Sequence, residues 1–165
     1  MPIRLCKIAL TAASVPFLLL VVFNNITDYG SNYAFVEGVL KMDTTFEGNG
    51  AMWRSIDSPW VYHVFYATII CWEFVSMVIL GMGVLRLYKA RGKSAAEFNK
   101  AKGLAVLGLT VSMLQWYLAF LVVGAEWFLM WQSNSFNGQD AATRMFLTMG
   151  ISLLFLISKD SELES

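Results

Sequence analysis

Charge is what this sequence has least of. Asp, Glu, Lys and Arg make up 15% of the 165 residues, while apolar residues make up 57%. Soluble domains carry roughly 25% charged residues. A domain this small has too much surface per volume to hide that much apolar side chain from water. The soluble globular and disordered classes are therefore excluded. Twelve basic residues balance twelve acidic ones, and a net charge of zero predicts no nucleic-acid partner. Histidine occurs once, which excludes a bis-histidine haem within the chain. Cysteine occurs twice. Cys6 precedes the first apolar run and Cys71 lies near the middle of the second, so no disulfide and no shared metal site are expected. No CxxC, HExxH, GxSxG or phosphate-loop pattern occurs, and nothing aligns Ser, His and Asp as a triad. The sequence therefore names no cofactor. Proline occurs three times, and only Pro16 falls well inside an apolar run, where it predicts a kink.

Long apolar runs are what the chain does have. A hydrocarbon core about 30 Å thick needs about 20 apolar helical residues to cross it. Four segments qualify: about 8–26, 59–87, 101–131 and 141–158. The expected fold is all-α, a four-helix transmembrane bundle forming one integral membrane domain over residues 1–165. The bilayer is the first partner. Arg4 and Lys7 precede an apolar run as in a signal peptide. No small-residue cleavage site follows it, so an uncleaved first helix is expected.

Basic residues orient the bundle. Arg4 and Lys7 lie at the N-terminus, and Arg86, Lys89, Arg91, Lys93, Lys100 and Lys102 lie between the second and third spans. Lys159 follows the fourth span, among Asp160, Glu162 and Glu164. The first outer loop holds only Lys41 and Arg54 among Asp28, Glu37, Asp43, Glu47 and Asp57. Both termini and the basic hairpin are therefore expected in the cytoplasm. The hairpin's bases also suit anionic lipid headgroups.

The connections carry their own signals. Gly92 suits a left-handed cap on the second span. Ser94 and Glu97 form a capping box that starts the next helix. In the long first outer loop, Phe35, Val36, Val39, Leu40 and Met42 recur at helical spacing, which predicts a short amphipathic helix lying on the outer surface or capping the bundle. Gly48-Asn49-Gly50 and Asn137-Gly138 predict turns. Trp53, Trp60, Trp127 and Trp131 fall near the outer interface, where indoles are favoured.

Ionisable groups inside a membrane are costly and point to function. Glu73 lies about 14 residues into the second span, roughly 20 Å deep at 1.5 Å per residue. Helical phase gives each span one polar and small face. On the third it runs through Ala101, Ala105, Gly108, Ser112, Gln115, Ala119, Val122 and Glu126. On the second it holds Tyr66, Glu73, Ser76 and Gly83, with His63 one turn above. The first offers Thr11, Ser14, Asn25 and Asp28, and the fourth Arg144, Thr148 and Ser152. Two layers follow as expectations. Glu73 and Gln115 form a midplane layer, either as hydrogen-bonded glue or as a proton relay. Nearer the outside, His63, Glu126, Arg144, Asp28 and Arg54 converge, with Glu126–Arg144 as the main ion pair, structural or part of a site.

Several strings also resemble a bacterial family of predicted small integral membrane proteins whose function is unknown. They are Asn24-Asn25-Ile26-Thr27-Asp28-Tyr29, Met42-Asp43-Thr44-Thr45-Phe46, Met52-Trp53-Arg54 with Pro59 and His63, Glu73, and Glu126-Trp127-Phe128 through Met130-Trp131-Gln132-Ser133. Asn137-Gly138-Gln139 and Arg144 complete the resemblance. This chain departs from the family's pattern at Gly38 and Ala125, where a histidine and a glycine are usual. The resemblance implies a bacterial inner-membrane location and brings no activity, cofactor or catalytic residue.

Three functions are compatible with this picture. The leading one is a non-enzymatic subunit or assembly factor of a larger membrane complex, with a membrane-protein partner or further copies of itself. The second is a small proton-coupled transporter or channel using Glu73 and Glu126. The third is a membrane enzyme or quinone-binding subunit using His63, Glu126 and the outer tryptophans.

Overall fold

The computed structural model describes residues 1–162. Glu164, counted above among the acids that follow the fourth span, lies outside them. The described chain is helical, without strands. Helix α1 spans Pro2–Thr27, and its proline in the first turn gives up only an amide that has no partner there anyway. It begins six residues before the expected span and continues through Pro16. Helix α2, Tyr29–Lys41, is the short helix expected in the first loop. Val36, Leu40 and Met42 are buried beneath it, and Met42 ends it in a left-handed conformation. Helix α3 spans Pro59–Ala90. Helix α4, Ala95–Ala101, leads into α5, Gly103–Gln115, which continues as a π-helix over Trp116–Trp127. Helix α6 spans Gln139–Ile157.

Four of these stretches are long and apolar enough to cross a membrane: Pro2–Thr27, Pro59–Ala90, Ala95–Trp127 and Gln139–Ile157. They pack in sequence order around a ring. α1 lies against α3, α3 against α5, α5 against α6, and α6 returns to α1. α2 lies over α3 and α1 at one end. We call that the loop end, and the end holding the α3–α4 connection the basic end.

The basic half is tightly closed. A Cβ on Gly83 would collide with the backbone of Ala105, and one on Gly108 would lie 2.7 Å from the Leu80 Cα. Only glycine lets α3 and α5 approach this closely. Leu18, Leu80, Leu87, Phe98, Leu109 and Leu156 fill the core there. Outward, residues such as Leu19, Phe23, Leu85, Ile151 and Leu154 are exposed, as a lipid-facing surface requires.

Three local expectations are corrected. Gly92 does not take a left-handed cap. Arg91 caps α3 in right-handed geometry, and Lys93 N donates to Ala90 O to close the turn. The third span stops at Trp127 rather than near Trp131, because Leu129 turns left-handed and starts a 3-10 turn over Met130–Gln132. The polar face of the third span also fails beyond Gln115. Ala105, Gly108, Ser112 and Gln115 are buried in α phase. From Trp116 the buried positions become Trp116, Gly124 and Ala125. Two α turns take about seven residues; here two wider π turns take eight or nine. The phase therefore slips, and Glu126 rotates outward.

The capping box forms, with Glu97 N donating to Ser94 Oγ at 3.3 Å. The turn at Gly48 is real and uses a positive φ of 74°, which glycine adopts at no steric cost. Both cysteines are free and exposed.

Candidate functional site

Glu73 is buried on the inner face of α3, with 1% of its surface exposed. Its phase on α3 places it between Tyr66 and Ser76, all facing the bundle interior. Asn25, on the last turn of α1, donates from Nδ2 to Glu73 Oε2 at 2.7 Å. Asn32, on the first turn of α2, donates from Nδ2 to Asn25 Oδ1 at 2.8 Å. The break at Asp28 between the two helices sets both amides in one line. Tyr66 Oη donates to the Asn25 carbonyl at 2.9 Å, fixing the end of α1 against α3. The bonds from Asn32 to Asn25 and from Asn25 to Glu73 both point their donor toward the carboxyl.

Gln115 lies at the same level. It is fully buried, and its Nε2 donates to the carbonyl of Ile69, one turn from Glu73 on α3, at 3.2 Å. Its Oε1 has no hydrogen-bond partner among the described residues, and neither has Trp116 Nε1. Trp72 Nε1 donates to Val111 O at 2.9 Å and ties α3 to α5 beside this layer.

A cavity of about 370 Å³ runs from Glu73 to Asn137 and Gly138, which lead into α6 at the loop end. Asn25 and Tyr66 line it with Glu73, and exposed Asn32 stands at its mouth. Phe35, Trp116 and Phe120 supply much of the remaining wall. No basic residue lines it. The volume falls within the usual range of small-molecule sites. Beyond Glu73 the close contact of α3 and α5 closes the basic half.

The residues expected to converge nearer the outside do not meet. Glu126 and Arg144 are both exposed, and no ion pair joins them among the described residues. The π phase carries Glu126 away, and α6 buries Ala142, Met149, Ser152 and Leu156 instead of the Arg144–Thr148 line. His63 Nδ1 lies 2.8 Å from Tyr29 Oη, and its ring packs against Tyr29 and Tyr33. Asp28 accepts from Ser31 Oγ at 3.0 Å. Arg54 donates to the Trp127 carbonyl at 3.3 Å, and its guanidinium lies 4.9 Å from the Trp127 ring centre and 5.2 Å from that of Trp53. These are separate local contacts.

The basic end holds a cluster that sequence reasoning missed. Lys7 and Lys102 both contact Asp160 Oδ2, at 2.7 and 2.6 Å, and both donate to the Ser158 carbonyl. Asn99 bonds the backbone of Asp160 in both directions. Arg4, buried over the Phe98 ring, donates to the carbonyls of Arg91, Lys93 and Ser161. Arg4 and Lys7 continue the phase of Thr11 and Ser14, so a signal was present.

Four apolar spans packed around a buried carboxyl define a class: a multi-pass integral membrane protein. The chain belongs to the family described as predicted small integral membrane protein (DUF2165), which it matches over residues 3–159. No curated protein and no solved structure matches it.

Proposed function

We propose that this chain is a non-enzymatic binding component of a bacterial inner membrane, with both termini cytoplasmic. It holds a small molecule in the Glu73 cavity and serves a larger membrane complex as a subunit or assembly factor. The observation that carries this reading is the buried carboxyl on the cavity floor, oriented by Asn25 and Asn32. A buried acid facing a cavity is expensive in a membrane, and binding is the use that offsets the cost. Glu126 and Arg144, exposed and without an ion-pair partner among the described residues, support the subunit part of the proposal, since a partner chain or a second copy would cover them. A transporter is the less favoured alternative, because the cavity ends at Glu73 and the basic half is packed shut.

The test is native mass spectrometry of protein extracted gently from its own membrane. The wild-type chain should retain a small-molecule adduct that Glu73→Gln lacks, and both should retain the same partner chain. Wild-type protein that is bare of adduct and partner alike would sink the proposal.

A further inference from the structure

We propose that the ligand of the Glu73 cavity is an organic ammonium ion, an amine or quaternary nitrogen carrying apolar groups. This rests on the binding reading above and specifies its chemistry. Glu73 supplies the only ionisable carboxyl lining the cavity, and no Lys, Arg or His lines it to act as an internal counter-ion. The Glu73 Oε2 is held by Asn25, a neutral amide that leaves the carboxyl without a counter-charge. A cation completes that arrangement.

The walls decide which cation. Phe35, Tyr66, Trp116 and Phe120 bring four aromatic rings to one cavity. Ring faces attract a cation, most strongly when water is excluded, and quaternary ammonium groups are the ligands best matched to such surroundings. A bare metal ion is poorly served here. Calcium takes six to eight oxygen ligands, and magnesium sheds its water reluctantly. The cavity offers one carboxyl, the amides of Asn25, Asn32 and Asn137 and the Tyr66 hydroxyl, with no second acid. Apolar substituents on the nitrogen would fill the space beside Val21, Ile69 and Ala141. The ligand enters past Gly138, where an added Cβ would lie 3.1 Å from Phe35 and 3.3 Å from Phe120. The mouth is therefore already narrow at the aromatic walls.

The full chain in lipid nanodiscs is titrated calorimetrically with benzyltrimethylammonium and with its uncharged carbon analogue, neopentylbenzene. Titrations of empty nanodiscs are subtracted. The expected result is binding of the cation at least tenfold tighter than the neutral analogue. Glu73→Gln should lose that preference while keeping its thermal unfolding temperature. Phe120→Leu keeps an apolar wall but removes one ring face. It should weaken the cation several-fold and leave the neutral analogue unchanged, and it serves as the deciding variant if Glu73→Gln does not fold. Equal or tighter binding of the neutral analogue overturns the ammonium assignment and leaves the binding reading standing. Failure of both probes also overturns the assignment, and the native adduct then tells whether the cavity binds another class of molecule.

Discussion

Asp160 holds two buried lysines with a single carboxyl. Its side chain and those of Lys7 and Lys102 are almost wholly withdrawn from solvent. Burial pushes the Asp160 carboxyl up, but hydrogen bonds and charge attraction from Lys102 and Lys7 outweigh it and hold the group below its ordinary value. A depressed folded value fixes the sign of the pH effect. The stabilisation is fully present above the unfolded value of about 3.9 and is lost as pH falls through the lower folded value. Removing the carboxyl leaves two lysines facing each other without a counter-charge. Asp160→Asn should therefore cost about 3 kcal/mol near neutral pH, at the low end for breaking a buried pair. Thermal unfolding in detergent should show wild type losing more stability between pH 6 and pH 3 than the variant does. Parallel losses would mean that Asp160 is not the group responsible. Lys7 was legible as buried, because it stands four residues before Thr11 on one helical face. Asp160 was not, since it lies beyond the last helix, where no periodicity indicates burial.

At the scale of elements, the sequence reveals where helices lie more readily than how they wind. The span positions, α2 and its apolar face, and the phases of α1 and α3 follow from hydrophobic spacing, because apolar surface must be buried or face lipid. The π segment did not follow, since its residues are as apolar as those of an α-helix and apolar composition does not report the hydrogen-bond step. That omission misplaced Glu126, and with it the ion pair to Arg144. The Glu73–Gln115 level was legible because it precedes the slip. Asn25 and Asn32 were harder to join, since the break at Asp28 separates their helices. The winding is testable. Deleting Leu118, a half-exposed residue within the π segment, should let the segment relax toward α geometry. Everything beyond it would turn by about 100°, one residue's share of an α turn. Glu126→Cys, in a chain with Cys6 and Cys71 replaced by serine, should react readily with a membrane-permeant maleimide when the segment is intact. It should react several-fold more slowly after the deletion. Unchanged reactivity would show that the π phase does not set which way residue 126 points.

Over the whole molecule, the basic residues divide into two groups with different work. Arg4, Lys7 and Lys102 are buried and lash the final residues to the bundle. Arg86, Lys89, Lys93, Lys100 and Lys159 are exposed at the same end, where they can meet anionic headgroups. The opposite end carries α2, the acidic first loop and the exposed rings of Trp53, Trp60, Trp127 and Trp131. Basic residues in short connections are retained on the cytoplasmic side, so this asymmetry predicts one orientation for the assembled protein. A fluorescent protein that matures only in the cytoplasm, fused after Ser165, should therefore be bright in cells. In the chain with Cys6 and Cys71 replaced, Glu47→Cys should be labelled in intact cells by a maleimide that does not cross the membrane holding the protein. Lys93→Cys should be labelled only after permeabilisation. Labelling of position 93 in intact cells, with position 47 protected, would invert the bundle. The mouth of the Glu73 cavity would then face the cytoplasm, and any ligand would have to come from that side.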